Sequence, residues 1–271
     1  MGAAVPAATV PRGLPRPLRT ALFGVAALLT LVFVAQTTIT LLDLATRHTT
    51  TEVQRFADVT AVEIGDASDV RLAGAPPDAP LELRKKVTEG LDSPEHAARV
   101  GGDGTLRLSS SCGWTFGDNS CGVDYELRVP AGTRVRVDAS SGDVHAEGLR
   151  ADRPVKLRTS SGDVHAEGVV APALAIETSS GDIHATGVRA GDVEAHASSG
   201  DVDLELTGPA DRVGVSTGSG DVSLLVPDAV YRLTTDTGSG DVDDGGLRTS
   251  PDAPRSIRAT TGSGDVSIEG R

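Results

Sequence analysis

Seven copies of one short motif, Ser-Gly-Asp followed by valine or isoleucine, occur in the second half of this 271-residue chain. Successive copies are separated by 20, 19, 19, 20, 20 and 24 residues, and their aspartates are Asp143, Asp163, Asp182, Asp201, Asp221, Asp241 and Asp265. A period near 20 residues is typical of stacked repeats, in which each coil has an apolar surface that only the next coil covers. The sequence therefore predicts a solenoid.

Apolar residues recur at constant distances from each aspartate. The positions eight residues before it and one residue after it are occupied by Val135, Val155, Leu174, Val193, Val213, Leu233 and Ile257, and by Val144, Val164, Ile183, Val202, Val222, Val242 and Val266. Polar residues such as Arg158 and Glu177 alternate with the apolar ones, and a period of two predicts strands. Glycine at the corner permits a positive φ, and aspartate can bind the turning backbone. We therefore predict an all-β fold, a single-stranded parallel β-solenoid with coils of about 20 residues.

The N-terminal residues predict a membrane anchor. Residues 1–20 carry three arginines and no acidic residue, which indicates a cytoplasmic tail, and residues 20–42 carry no charge. A helix over residues 21–42 would be long enough to cross about 30 Å of hydrocarbon. The positive-inside rule then places the N-terminus in the cytoplasm and everything after Asp43 outside the cell. A cleaved signal peptide is the alternative, although Phe33 is large for a cleavage site after Ala35.

The outer part divides into three predicted segments. Residues 43–54 are rich in threonine and are expected to form a linker. Residues 55–130 are expected to form irregular coils that cap the membrane-proximal end, since the first coil of a solenoid needs a different cover. Ser68-Asp69-Val70 in this segment has the form of a repeat corner without its glycine. Regular repeats are predicted for residues 131–271.

The only two cysteines, Cys112 and Cys121, lie close together in sequence. Outside the cytoplasm such a pair predicts a disulfide, whereas metal binding would need further ligands that the neighbouring sequence does not supply. Trp114 and Phe116 lie between the cysteines. They would either cover the end of the solenoid or form an exposed aromatic patch.

The charge of the outer part argues against nucleic acid as a partner. Residues 1–43 contribute +2 to the net charge of −13, which leaves −15 for the remainder. So acidic a surface repels phosphate backbones and anionic lipid headgroups.

The repeat units resemble a known family. Thr159–Gly168, Thr217–Val222 and the Val-Pro-Ala-Gly-Thr stretch ending at Thr133 are similar to the bacterial putative adhesin family, also called the β-strand-repeat domain of unknown function. The resemblance covers residues 55–271. It implies a parallel β-solenoid on the cell surface or membrane and supplies no catalytic residues. The last unit departs from the pattern at Asp244 and in its long return to Pro254, which argues against regular stacking there.

The aspartate column is the first candidate site. Stacked coils place equivalent residues about 4.8 Å apart, so the carboxylates of Asp163, Asp182, Asp201 and Asp221 would repel one another. They would either cap backbone N–H groups of the corners or hold a cation such as calcium between them.

A histidine column is the second candidate. His145, His165 and His184 occupy the same outward position in three consecutive coils. Such a column would bind zinc or respond to pH near 6, unless the side chains are simply solvated. Serines are frequent, but they belong to the repeat and form no nucleophile elbow, so we predict that the protein is not an enzyme.

Two classes of function remain open on the sequence. The first is a module for surface display, adhesion or binding, with a protein or glycan partner. The second is a regulatory or structural envelope protein that uses its solenoid as a sensor or spacer.

Overall fold

The computed structural model of the chain describes residues 16–89, 94–111 and 122–271. It contains one helix, α1 (Arg16–Thr46), within these ranges. The strands in chain order are β1 (His48–Phe56), β2 (Ala61–Gly65), β3 (Val70–Ala75), β4 (Leu81–Glu89), β5 (Glu95–Val100), β6 (Thr105–Ser111), β7 (Gly122–Pro130), β8 (Arg134–Ala139), β9 (Val144–Glu147), β10 (Val155–Ser161), β11 (Val164–Glu167), β12 (Val170–Ser180), β13 (Ile183–Ser199), β14 (Val202–Leu206), β15 (Arg212–Thr217), β16 (Val222–Val226), β17 (Tyr231–Thr237), β18 (Val242–Asp243), β19 (Arg255–Thr261) and β20 (Val266–Gly270).

The regular coils build two sheets that run the length of the molecule. The strand before each Ser-Gly-Asp corner belongs to what we call the back sheet, and the strand after it to the front sheet. Equivalent positions of successive repeats lie side by side, so that Val164 is beside Val144 on one side and beside Ile183 on the other. These pairings are parallel. The fold is mostly β, as predicted, and its parallel pairing is that of a solenoid.

The space between the two sheets is filled by the inward residues of both. Val164, Ile183 and Val202 form part of one column on the front sheet, and all are fully buried. Leu157 and Ile176 stack on the back sheet and are almost completely buried. Because the core is only a few side chains wide, small and branched residues fill it where larger rings would not fit.

The order of the coils departs from the order of the chain at the C-terminal end. From β8 to β16 each coil lies on its predecessor in sequence. The last coil, β19 and β20, is instead inserted between β15/β16 and β17/β18. The irregularity predicted after Asp244 is thus a change of order, and residues 231–243 form the end of the solenoid.

The N-terminal end shows a similar insertion. The coil of β2 and β3 lies between β6/β7 and β8/β9, so the corner at Ser68-Asp69 is part of the regular stack. The expectation that residues 55–130 form only irregular capping coils is therefore wrong for residues 61–75. The cap itself is antiparallel, with β4 on β7, β1 on β4 and β5 on β6.

The predicted linker over residues 43–54 is also corrected. Helix α1 continues to Thr46, and His48–Phe56 is strand β1, which pairs with β4 along its whole length. The run of threonines and Val53 favours an extended strand because β-branched residues fit a pleated surface.

A helix is present where the membrane anchor was predicted, but it begins before residue 21 and extends beyond residue 42. In the part of the chain that the structure describes, no helix combines the length and the apolar character that crossing a membrane requires. The predicted transmembrane span over residues 21–42 is therefore not supported.

Candidate functional site

The corner glycines are required both by backbone conformation and by close packing. Gly181 has a φ of +141° and Gly200 a φ of +131°, a region that other residues rarely adopt. A Cβ atom on Gly200 would overlap the backbone carbonyl of Gly181 in the coil beside it. The corners therefore stack backbone on backbone along one edge of the solenoid.

The corner aspartates form a continuous ladder of hydrogen bonds. In every coil but the end coil of Asp241, the carboxylate Oδ1 of the corner aspartate accepts a bond from the backbone N–H of the corner aspartate in the adjacent coil. The N–O distances at the seven junctions are 2.8 to 3.0 Å, and the ladder runs through Asp69, Asp143, Asp163, Asp182, Asp201, Asp221, Asp265 and Asp241. Each N–H donor offsets part of the repulsion between neighbouring carboxylates.

The ladder corresponds to the capping role that the sequence left open beside calcium. The donor belongs to the next coil and not to the aspartate's own turn, so each bond also fixes the register between coils. Within the described ranges, no group of three or more histidine, cysteine or acidic side chains is placed to hold a metal ion. Calcium binding by this column stays a prediction.

A second ladder of buried hydroxyl groups was missed by the sequence analysis. Thr178 is fully buried and donates its hydroxyl hydrogen to the carbonyl oxygen of Gly162 at 3.1 Å. Equivalent bonds are made by Thr159, Thr217, Thr237 and Thr261 to the corner glycine of an adjacent coil. The signal was available, because these threonines all lie four residues before a corner aspartate. Ala139 and Ala197 are the exceptions in that position.

The three histidines of the predicted column do lie together on the front sheet. The ring centroids of His145 and His165 are 4.7 Å apart and those of His165 and His184 are 5.3 Å apart, with the rings stacked. At one end of the column His184 Nδ1 lies 3.0 Å from Asp203 Oδ2. At the other end Arg71 lies beside His145.

The surroundings of His145 disfavour its protonated form. Burial lowers the pKa of His145, and the nearby His165 and Arg71 lower it further, against the opposing influence of Asp143 and Asp69. The rings are half-buried and stacked, so the column forms a surface ridge. Zinc binding by this ridge stays a prediction.

Several outward side chains of the back sheet form ion pairs. Arg136 Nε lies 2.7 Å from Asp138 Oδ2, and Arg158 contacts both Asp138 and Glu177. Further along, Arg212 Nη2 lies 2.6 Å from Asp192 Oδ2. These exposed pairs stabilise weakly, but they neutralise the guanidinium groups of Arg136, Arg158 and Arg212.

Polar groups also close the N-terminal end of the core. Tyr125 is buried beneath the cap and donates its hydroxyl to the carbonyl of Ser109 at 3.2 Å, and burial raises its pKa to about 12. The largely buried Lys85 reaches Glu52 at 2.7 Å, and this hydrogen bond lowers the pKa of the Glu52 carboxyl. Neither role was predictable from the sequence.

The predicted disulfide between Cys112 and Cys121 lies outside the described residues, as do Trp114 and Phe116. The disulfide and the role of this aromatic loop stay predictions.

Taken as a class, the molecule is a repeat protein whose two sheet faces present side chains in register along a solenoid. The profile of the family described as Toastrack DUF4097 matches residues 119–269. The chain belongs to this family, which agrees with the resemblance found in the sequence. The family's description names no enzymatic activity.

Comparison with solved structures gives distant likenesses. A putative cell adhesion protein from Clostridium sporogenes is 12% identical, with a TM-score of 0.35 over 83% of this chain and 100% of that one. A putative adhesin from Bacteroides fragilis is 17% identical, with a TM-score of 0.40 over 83% and 97%. A putative lipid binding protein from Parabacteroides distasonis is 13% identical, with a TM-score of 0.47 over 83% and 95%. A search of curated proteins finds no match.

Proposed function

We propose that this protein is a non-enzymatic binding module of the bacterial envelope, which holds a protein or glycan partner against the outward faces of its solenoid. The observation that carries the proposal is the continuous register of outward side chains along each sheet. Glu147, Glu167 and Thr186 form one such line, and the histidine ridge runs beside it. An extended surface of this kind is what solenoid proteins use for binding.

Placement of the domain outside the cell is part of this proposal. The net charge of −15 after residue 43 suits a solvated surface. A protease-sensitive tag after Arg271 should be cut when protease is added to intact cells, whereas a tag before Arg12 should be protected. The reverse pattern would contradict this placement.

Crosslinking tests whether the faces bind a partner. A photo-reactive amino acid is placed at Glu167 on the front sheet, at Glu194 on the back sheet, or at Arg153 in a return loop as the matched control. In the full chain on living cells, at least one sheet position should crosslink to a discrete partner while the loop position should not. Absence of crosslinks at both sheet positions, with normal amounts of protein at the surface, would overturn the proposal.

The location of the crosslinked partner separates the two functional classes. A partner from added foreign cells supports adhesion. A partner in the same envelope supports the regulatory or structural alternative.

A further inference from the structure

A depression interrupts the front sheet close to its N-terminal end. It has a volume of about 580 Å³, and its lining includes Arg71, Ala73, Arg84, Arg128, His145 and Glu147. The strand register explains its shape. Ala73 of β3 lies between Arg128 of β7 and Glu147 of β9, so a methyl group stands where the neighbouring strands carry long side chains.

The guanidinium groups around this depression form at most long ion pairs with the residues that the structure describes. Arg128 forms no ion pair with any residue that the structure describes. Arg84 Nε lies 3.7 Å from Glu126 Oε2, and Arg71 Nη2 lies 4.0 Å from Asp69 Oδ2, which are long separations for charge-assisted hydrogen bonds. Guanidinium N–H groups around Ala73 are therefore available to donate hydrogen bonds to a ligand.

The back sheet provides a comparison within the same molecule. A depression of about 310 Å³ there includes Ala175, Arg136 and Arg158. Its two arginines are held by carboxylates, with Arg136 2.7 Å from Asp138 and Arg158 in contact with Glu177. The two depressions thus have similar chemistry, but only the one on the front sheet has arginines without close partners.

The mixture of groups on the front sheet indicates the class of ligand. Planar guanidinium groups bind a carboxylate through paired hydrogen bonds. The carboxylates of Glu126 and Glu147 beside them accept hydrogen bonds from hydroxyl groups. A polyhydroxylated ring that carries one carboxylate satisfies both sets.

We propose that the depression around Ala73 binds a carboxylate-bearing sugar of a surface glycan. This inference rests on the proposed binding function and names the ligand class of one place on the front sheet. Arg71 and Arg128 bind the carboxylate, the methyl group of Ala73 forms the floor, and Glu147 accepts from the sugar hydroxyls.

A titration with two matched probes tests this assignment. The full chain is titrated with trigalacturonic acid and with its methyl ester, which keeps the sugar but removes the charge. The acid should bind, and the ester should bind about tenfold more weakly or worse because the paired hydrogen bonds of the carboxylate are lost. Equal affinity for the two probes, or no binding of the acid, would overturn the assignment.

Two variants and a control locate the site. Arg128→Gln removes one guanidinium, and Ala73→Leu fills the floor; each should weaken binding of the acid by about tenfold or more. Ala175→Leu makes the same change in the back-sheet depression and should leave the affinity within about twofold. If Ala73→Leu binds as well as the parent while circular dichroism shows an intact β spectrum for both, the site is not around Ala73.

Failure of this inference is distinct from failure of the proposed function. Crosslinks from Glu167 or Glu194 to a partner, without binding of the acid probe, would leave the binding module standing and remove only the acidic sugar as its ligand.

Discussion

The central coils and the two ends of the solenoid differ in how many neighbouring coils cover them. Between β8 and β16 each coil is covered on both faces by its neighbours in sequence. At each end a coil distant in sequence is inserted one place inward, and the outermost strands are covered on one side only. Val202 and Val242 show the consequence, because they occupy the same repeat position but are 0% and 43% exposed.

This contrast shows that a repeat position does not by itself define an environment. Leu204, Leu224 and Ile268 form an inward column. The equivalent repeat position in the end coil is Asp244, which is exposed. A polar residue is tolerated there because no further coil covers it. The effect of a substitution should therefore depend on the place of its coil in the stack.

The largest expected difference is for a buried charge. Val202→Asp places a carboxylate between Ile183 and Val222 without a partner, and should cost about 4 kcal/mol or more of unfolding free energy. Val242→Asp, in the end coil, should cost about 1 kcal/mol or less. Urea denaturation of the two purified variants measures this.

His165→Ala on the outward face is the control for that pair, with an expected change of about 0.5 kcal/mol or less. Similar losses in Val202→Asp and Val242→Asp would mean that both coils are equally covered, and would contradict the coil order described here.

A smaller difference is expected at the corner glycines. Gly200→Ala forces a positive φ on a residue with a Cβ, and that Cβ overlaps the backbone of Gly181. The coil on the other side prevents the chain from moving away. We therefore expect the free energy of unfolding to fall by about 3 kcal/mol. Gly240→Ala creates the same overlap with Gly264, but the end coil is free to shift outward, so we expect about half of that loss. Midpoints of thermal unfolding compare them.

The loss measured for Gly240→Ala shows how firmly the end coil is held. A loss equal to that of Gly200→Ala would show that the end coil is held as rigidly as the central ones. The insertion of β19 and β20 beneath it would then stabilise the end more than its exposed side chains indicate.

The sequence predicted the coil well because every coil repeats the same local signals. The aspartate positions, the apolar positions beside them and the glycine corner determine where each strand starts and which face turns inward. Leu157, Ile176 and Val215 are all buried as the period of two predicted. Even the corner at Asp69, which lacks its glycine, was recognised from its neighbours.

The order of the coils was not predictable from the same signals. The steps from Asp221 to Asp241 and from Asp241 to Asp265 are close to the regular period. Each of the last two coils therefore has a corner whose backbone N–H could bind the Asp221 carboxylate. Only the longer return before Asp265 distinguished them. The antiparallel cap was missed for another reason. Strand β1 lies where a threonine-rich stretch has the composition of a linker, and its partner β4 is far along the chain.

The candidate sites were predicted in part. The histidine ridge follows directly from the repeat, and the structure places its three rings together. The depression around Ala73 depends on pairing between β3 and β7, whose paired residues lie more than 50 positions apart in sequence. No local pattern in the sequence contains that information.

The threonine ladder allows a finer comparison of interior and end. Thr178→Val keeps the shape of the side chain but leaves the buried carbonyl of Gly162 without its donor, and should cost about 1.5 kcal/mol. Thr237→Val at the end coil should cost about 0.5 kcal/mol, because this threonine is only partly buried and water can replace its hydroxyl. Urea midpoints for both variants give the result, and equal losses would indicate that the end coil is as dry as the interior.

The smallest expected effect concerns one outward column of the front sheet, which carries histidine in the central coils but Ser223, Ser267 and Asp243 towards the C-terminal end. Burial, His165 and Arg71 lower the pKa of folded His145 below its ordinary value of 6.5, so the unfolded chain binds a proton more readily there than the folded one does. The contribution of His145 is therefore complete above about pH 6.5 and is lost as the pH falls from that value towards the lower pKa of the folded state. His145→Gln removes this proton uptake, so its melting temperature should fall less between pH 7.5 and pH 5 than that of the parent. An identical fall in both proteins would show that the histidine ridge carries no pH dependence at His145, and that the acidic residues elsewhere account for it.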